Sequence, residues 1–202
     1  MLQQVLRKFY NNLKLFNQTQ GQIFKKAYLV AKKEHQSQKK FGIFPYIIHP
    51  LSIFNFLVEN LEIRDHDLLT AAILHDSVED GQISLSDIEK VFGKEVSNIV
   101  GAVTVILSPD ETEEEKLNSH LRYLEEIKNK NLSVKLLRLA DQLDNMSHWL
   151  EIPLSSPLRK KFPRWFKETE ANIKLAKTTN KIIYQLLQKK FQEIKQIVSD
   201  NL

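Results

Sequence analysis

Apolar residues recur at three- and four-residue spacing along nearly the whole chain, and no segment sustains the every-other-residue alternation of a half-buried strand. The pattern predicts an all-α protein. Amphipathic helices are expected over residues 2–16 and 23–34, and the Lys-Lys-Phe-Gly-Ile-Phe-Pro stretch at 39–45 then breaks the periodicity as a loop. Pro50 fixes the backbone for a helix start, so a third helix is expected to open at His49-Pro50 and run through Val58. Asp65 is placed to cap a fourth, from His66 to about Asp80. Its middle (Leu68, Leu69, Ala71, Ala72, Ile73, Leu74) is apolar nearly all round, which predicts a central, buried helix. Ser84-Leu85-Ser86-Asp87 has the form of a capping box with Asp in place of Glu and starts a short helix that stops at Gly93. A further helix is expected over 96–107. Ser108-Pro109-Asp110 and the acidic run from Glu111 to Glu115 read as a surface loop, followed by helices over 117–128 and 134–150 and a long final helical segment over 157–198.

Composition narrows this picture. With 202 residues, 42% of them hydrophobic, the chain can bury one sizeable core, so a single domain over 1–202 is expected. Its 5 Gly and 6 Pro are few enough to leave long helices uninterrupted. No Cys is present, which rules out disulfides and thiolate ligands: a metal would be held by His and carboxylate. The opening residues carry Lys and Arg inside their apolar pattern, unlike a leader peptide, and no stretch approaches membrane-spanning length, so a cytoplasmic protein without membrane partners is expected. The formal net charge of +4 is concentrated in the lysines between 174 and 195, which alternate with Ile, Leu and Phe as on an ordinary solvated helix. Nucleic acid is therefore not an expected partner; a homodimer is compatible with the sequence.

The richest chemistry lies in His75-Asp76-Ser77-Val78-Glu79-Asp80, at the end of the apolar fourth helix. At 100° per residue, positions 75, 76, 79 and 80 fall within about a 140° arc, so four ionisable groups would project from one side. Three carboxylates buried together repel one another and call for a cation, for which a divalent metal is the natural choice. A helix end whose acids simply face water is the competing reading. A second stripe is formed by Arg138, Asp141 and Asn145, which fall within about a 60° arc on a helix whose other faces carry Leu136, Leu137, Leu139, Ala140 and Leu143. Asp141 there needs a partner: either a local ion pair with Arg138 or something beyond the helix. His49, between Ile48 and Pro50, sits at a rigid helix start, where an imidazole serves as a structural group or as a well-oriented ligand.

Taken together, these segments carry a family resemblance. Glu34-His35-Gln36-Ser37-Gln38-Lys39-Lys40, then Gly42, then Pro45-Tyr46-Ile47-Ile48-His49-Pro50-Leu51 resembles the opening motif of the guanosine polyphosphate pyrophosphohydrolases. These comprise the hydrolase domains of bifunctional alarmone enzymes and their small stand-alone relatives. Ala71 through Asp80 resembles the family's HD and ED signature, Phe92-Gly93 and Val103-Thr104 its next landmarks, and Leu139-Ala140-Asp141-Gln142-Leu143-Asp144-Asn145 its closing motif. The match covers residues 25–150 in the family's order. It implies a helical HD-type bundle in which His49, His75, Asp76 and Asp141 ligate one divalent metal, usually manganese. By the same resemblance Glu79 and Asp80 position and deprotonate water, and Asn145 contacts the nucleotide. The implied reaction is release of pyrophosphate from the 3′ position of ppGpp or a related alarmone.

So compact a polyanion needs cations nearby, and Lys39, Lys40 and Arg138 are the best placed in sequence. Three positions depart from the family pattern: Lys40 stands where Arg is usual, Gln142 where a basic residue is usual, and Asp144 where an aromatic or His is usual. These departures are expected at the rim of the site, where they bear on base preference and leave the ligands untouched. Lys cannot reproduce the planar stacking of Arg, which opens the alternative of an adenosine analogue; a general phosphatase acting on a deoxynucleotide or NADPH and a silent nucleotide-sensing module are the competing functions. His35 is expected to be structural or to support a ligand from behind, and Trp149, Phe162, Trp165 and Phe166 to form core or interface.

Overall fold

Asn17 and Gln20 open the longest helix of the N-terminal half by a reciprocal capping box, Asn17 Oδ1 accepting from the Gln20 backbone and the Gln20 side chain from that of Asn17. This is how the chain begins many of its turns: a short polar side chain satisfies the first free N–H groups. The computed structural model describes every residue except 80–82, 106–107, 109 and 200–202. Among the described residues there are ten α-helices and one two-stranded hairpin, and no helix is long and apolar enough to cross a membrane. The chain divides into two units, Met1–Thr104 and Val105–Leu202.

In the first unit α1 (Leu2–Asn12) packs on α3 (Ile48–Asn60), α2 (Gln18–Glu34) and α3 on α4 (His66–Leu74), and α4 on α6 (Lys94–Val103), with α5 (Leu85–Phe92) beside α6. Phe9, Phe24 and Phe54 meet edge to face at centroid distances of 5.1 and 5.3 Å and are wholly buried, forming the aromatic centre of this unit. Every residue of α4 from Leu68 to Leu74 is buried, as the all-round apolar pattern predicted.

Several expectations change. Lys39–Lys40 (β1) and Phe44–Pro45 (β2) pair antiparallel where a plain loop was expected, the turn being made by Phe41 and Gly42 at φ of 53° and 76°. The fourth helix stops at Leu74 and residues 75–79 form a turn; of the expected range, Asp80 lies outside the described residues. The cause is local: the His75 ring nitrogen Nδ1 lies 3.0 Å from the Ala72 carbonyl, an acceptor that a continuing helix would give to the backbone of residue 76. The helix expected over 96–107 runs as Lys94–Val103, while 106 and 107 lie outside the described residues.

The second unit consists of α7 (Glu113–Ile127), α8 (Leu132–Ser147), α9 (Phe162–Thr179) and α10 (Lys181–Ser199), with α9 packed on α7, α8 and α10. The acidic run is not all loop. Thr112 and Glu115 form a capping box, and Glu113, Glu114 and Glu115 occupy the first turn of α7, where the helix dipole favours negative charge. The long final segment breaks at Asn180, whose side chain accepts from the Ile183 N–H and starts α10. Trp149 stacks on Trp165 at 5.1 Å and on Phe162 at 5.9 Å, and Phe166 meets Phe191 at 5.4 Å; Trp149 and Phe162 are buried core, while Trp165 and Phe166 are half-buried.

Candidate metal centre

Tyr46 and Pro50 set His49. The His49 N–H donates to the Tyr46 carbonyl at 2.9 Å, and Pro50 lies in the first turn of α3, where its missing N–H costs no helical bond. His75 follows the last residue of α4, and Asp76 follows it. Both imidazoles are buried, and both Nε2 atoms point at one carboxylate oxygen: His49 Nε2 lies 3.4 Å and His75 Nε2 3.1 Å from Asp76 Oδ2. Each of the three offers a ligand atom within 4.8 Å of the other two.

The tautomer of His75 tests whether a metal suits this cluster. Its Nδ1 faces the Ala72 carbonyl, which can only accept, so Nδ1 carries a proton. Its Nε2 faces the Asp76 carboxylate, and the positive charge between them is supplied either by a second ring proton or by a divalent ion held by both groups. Two imidazole nitrogens and a carboxylate are a donor set for a divalent transition metal, and the residues present fit one.

Burial would raise the Asp76 carboxyl, but the His75 charge, the contacts of both rings and the Lys40 ammonium outweigh it and hold the group well below the usual carboxylate range. Asp76 Oδ2 also accepts from the Tyr46 hydroxyl at 2.8 Å. The Tyr46 ring stacks on His35 at 4.6 Å, and the Lys40 ammonium lies 4.9 Å from its centroid and 3.5 Å from its hydroxyl oxygen. Buried His35 thus stands behind Tyr46, with Nδ1 held at 2.6 Å by Gln38 Oε1. Tyr46 was not among the residues singled out from sequence; the signal was a phenol three residues before His49. Tyr46→Phe is expected to weaken divalent-ion affinity by about tenfold through the lost support of Asp76. Calorimetric titration of the folded variant checks this, and unchanged affinity removes Tyr46 from the site.

Of the other expected residues, Glu79 is exposed at the end of the turn, Asp80 lies outside the described residues, and Lys39 is exposed beside Lys40 on β1. Asp141, Arg138 and Asn145 belong to α8 in the second unit and meet as their spacing predicted: Asp141 Oδ2 accepts from Arg138 Nη1 at 2.5 Å and Oδ1 from Asn145 Nδ2 at 2.6 Å. The structure therefore brings His49, His75 and Asp76 together in one unit and Arg138, Asp141 and Asn145 together in the other. Gln142 is not a rim residue. It is buried, donates to Thr169 Oγ1 at 2.9 Å, and accepts from Arg138 Nη2 at 3.2 Å and Asn172 Nδ2 at 3.4 Å.

A helical chain with paired imidazoles and an adjacent His-Asp carboxylate is the architecture of one class. A family model described as the HD domain matches residues 27–161, and the chain belongs to the HD-domain family. Within it, the chain is similar to the guanosine-3′,5′-bis(diphosphate) 3′-pyrophosphohydrolase MESH1 of Drosophila melanogaster, 34% identical over 59% of this chain and 64% of that protein. The MESH1 protein of Danio rerio is 31% identical over 74% of this chain and 80% of its own length. Longer relatives are matched over a small part: a probable pyrophosphohydrolase of Mycoplasma pneumoniae is 35% identical over 60% of this chain but 17% of its own length. A solved structure described as a metazoan ortholog of SpoT that hydrolyzes ppGpp superposes with a TM-score of 0.73 at 25% identity, covering 85% of this chain and 94% of that one. The expected all-α, HD-type fold holds. α9 and α10 lie beyond the residues that the family model matches.

Proposed function

We propose that the protein is a metal-dependent hydrolase that removes the 3′-pyrophosphate from ppGpp and pppGpp, acting on alarmone nucleotides in the cytoplasm with manganese as its ion. The observation that carries this reading is the convergence of His49 Nε2, His75 Nε2 and Asp76 Oδ2 within reach of a single ion. By the family resemblance Asp141 is the fourth ligand. Asp141 is held by Arg138 and Asn145, bonds that fix the direction of its carboxylate.

A bound divalent ion acidifies water and polarises a phosphoryl oxygen. The protein's own groups do the rest. Glu79 and Asp80 hold the attacking water and take its proton, Lys39, Lys40 and Arg138 offset the polyphosphate charge, and Asn145 contacts the nucleotide. Hydrolysis of ppGpp by this route yields GDP and pyrophosphate. One observation favours a broader base range. Lys40 engages Tyr46 with a compact ammonium, where a planar guanidinium would stack on the base, so an adenosine analogue such as ppApp is the second reading.

The test is pyrophosphate release from ppGpp, pppGpp and ppApp by purified protein loaded with manganese. Turnover of the guanosine compounds is the expected result. If all three stay intact while a deoxynucleotide or NADPH loses phosphate, the substrate assignment is wrong and the hydrolase class survives. Nucleotide binding that persists unchanged after chelation, without turnover of any of them, would leave a sensing module.

A further inference from the structure

Arg138 is held from three sides. Its Nη1 reaches Asp141 on its own helix, while Nη2 donates to His120 Nε2 on α7 at 2.8 Å and to Gln142 Oε1 one turn further along α8 at 3.2 Å. The Gln142 amide cannot swing away, because its Nε2 is bonded to Thr169 Oγ1 on α9, and Thr169 is itself fixed by donating to the Trp165 carbonyl at 2.8 Å. Three helices thus aim one guanidinium.

His120 can serve only in one tautomer. A guanidinium donates and never accepts, so His120 Nε2 must present its lone pair and the ring proton resides on Nδ1, which faces Glu168 Oε1 on α9 at 3.9 Å. Burial, reinforced by the charge of Arg138, pushes the His120 pKa down to about 3, so the ring stays a neutral acceptor near neutrality. The Tyr123 ring lies edge-on to His120 at 5.7 Å and beneath the Arg138 guanidinium at 5.9 Å, closing the remaining freedom of both. A buried polar set with so many fixed members specifies geometry. The group whose geometry it specifies is the Asp141 carboxylate.

We infer that His120 and Thr169 are positioning residues that, through Arg138 and Gln142, orient the Asp141 carboxylate for the divalent ion. This rests on the reading of Asp141 as a ligand given above. It also gives α9, whose Thr169 lies past the matched family segment, a part in the site.

Manganese titration of the full chain by calorimetry tests it, with His120→Leu, His120→Gln and Thr169→Val compared with the parent protein. His120→Leu removes the acceptor and is expected to weaken manganese affinity by about tenfold. His120→Gln returns a carbonyl oxygen to Arg138 and is expected to stay within about threefold of the parent. Thr169→Val keeps the shape without the hydroxyl and is expected to weaken affinity by several-fold, about half the Leu effect on a logarithmic scale. If folded His120→Leu binds manganese as the parent does, the inference is overturned while the hydrolase reading stands. An equal loss in His120→Gln and His120→Leu also overturns it, since packing alone would then be at work. Should His120→Leu fail to fold, Thr169→Val decides: unchanged affinity overturns the inference. A parent protein that binds neither manganese nor another divalent transition ion refutes the hydrolase reading and this inference with it.

Discussion

Replacing His75 or Asp76 with Ala is expected to lower kcat/KM for pyrophosphate release from ppGpp by at least about a thousandfold, a loss of about 4 kcal/mol of transition-state stabilisation. The two replacements fail differently. His75→Ala removes an Nε2 donor whose direction is set by the Ala72 carbonyl, leaving His49 and Asp76 in place. Asp76→Ala removes the oxygen on which both imidazoles and the Tyr46 hydroxyl converge, so three polar groups lose their common partner at once. Divalent-ion content after loading and dialysis is expected to fall in both, and further in Asp76→Ala. A His75→Ala protein that keeps more than a tenth of the parent activity would show that this cluster is not the catalytic centre.

The second large effect concerns acid. The His120 pKa falls from an ordinary value near 6.5 to about 3 in the folded chain, because burial and the Arg138 charge disfavour the imidazolium. Between those values the unfolded chain binds a proton that the folded chain refuses, so stability rises with pH across this window. The contribution is complete above about pH 6.5 and is lost progressively as pH falls toward 3, amounting in total to on the order of 5 kcal/mol. Glu168 works in the opposite sense: burial raises its carboxyl despite the Arg164 guanidinium, so its protonation on acidification favours the folded state. Urea midpoints measured near pH 7 and pH 4.5 are expected to drop steeply for the parent and much less for His120→Gln. Equal slopes for the two proteins would mean that His120 is not the titrating group.

The helices were legible because their apolar stripes are long. The burial of α4 and the meeting of Arg138, Asp141 and Asn145 on α8 followed directly from residue spacing. Boundaries were less legible. The Asn17 and Gln20 box starts α2 ahead of its first apolar residue, and the Thr112 and Glu115 box was present in the sequence but hidden in an acidic run that reads as solvated loop. The hairpin at Lys39 to Pro45 left no alternation to detect, since two residues per strand are too few to show a period. His75 ends its helix by a side-chain bond that apolar periodicity does not encode.

The site was legible in its residue types and only partly in their surroundings. His49 and His75 are separated by two helices and a connecting turn, so their approach to Asp76 came from motif order and not from any local rule. Tyr46 and His120 were not singled out because each meets its neighbour through one polar atom of a ring that otherwise packs against other rings. Gln142 was assigned to the rim on the strength of its neighbour Asp141, although on a helix the next residue points about 100° away, here toward α9.

That orientation of Gln142 constrains how the sequence can drift. Its amide serves Arg138 and Asn172 as an acceptor and Thr169 as a donor, so no single exchange at this position satisfies all three. A lone mutation to Lys or Arg would bury a second cation against the Arg138 guanidinium and the Asn172 amide hydrogens. The three partners are therefore epistatic: lineages should carry Gln together with Thr and Asn, or a basic residue together with a different α9 face, with intermediates purged by selection.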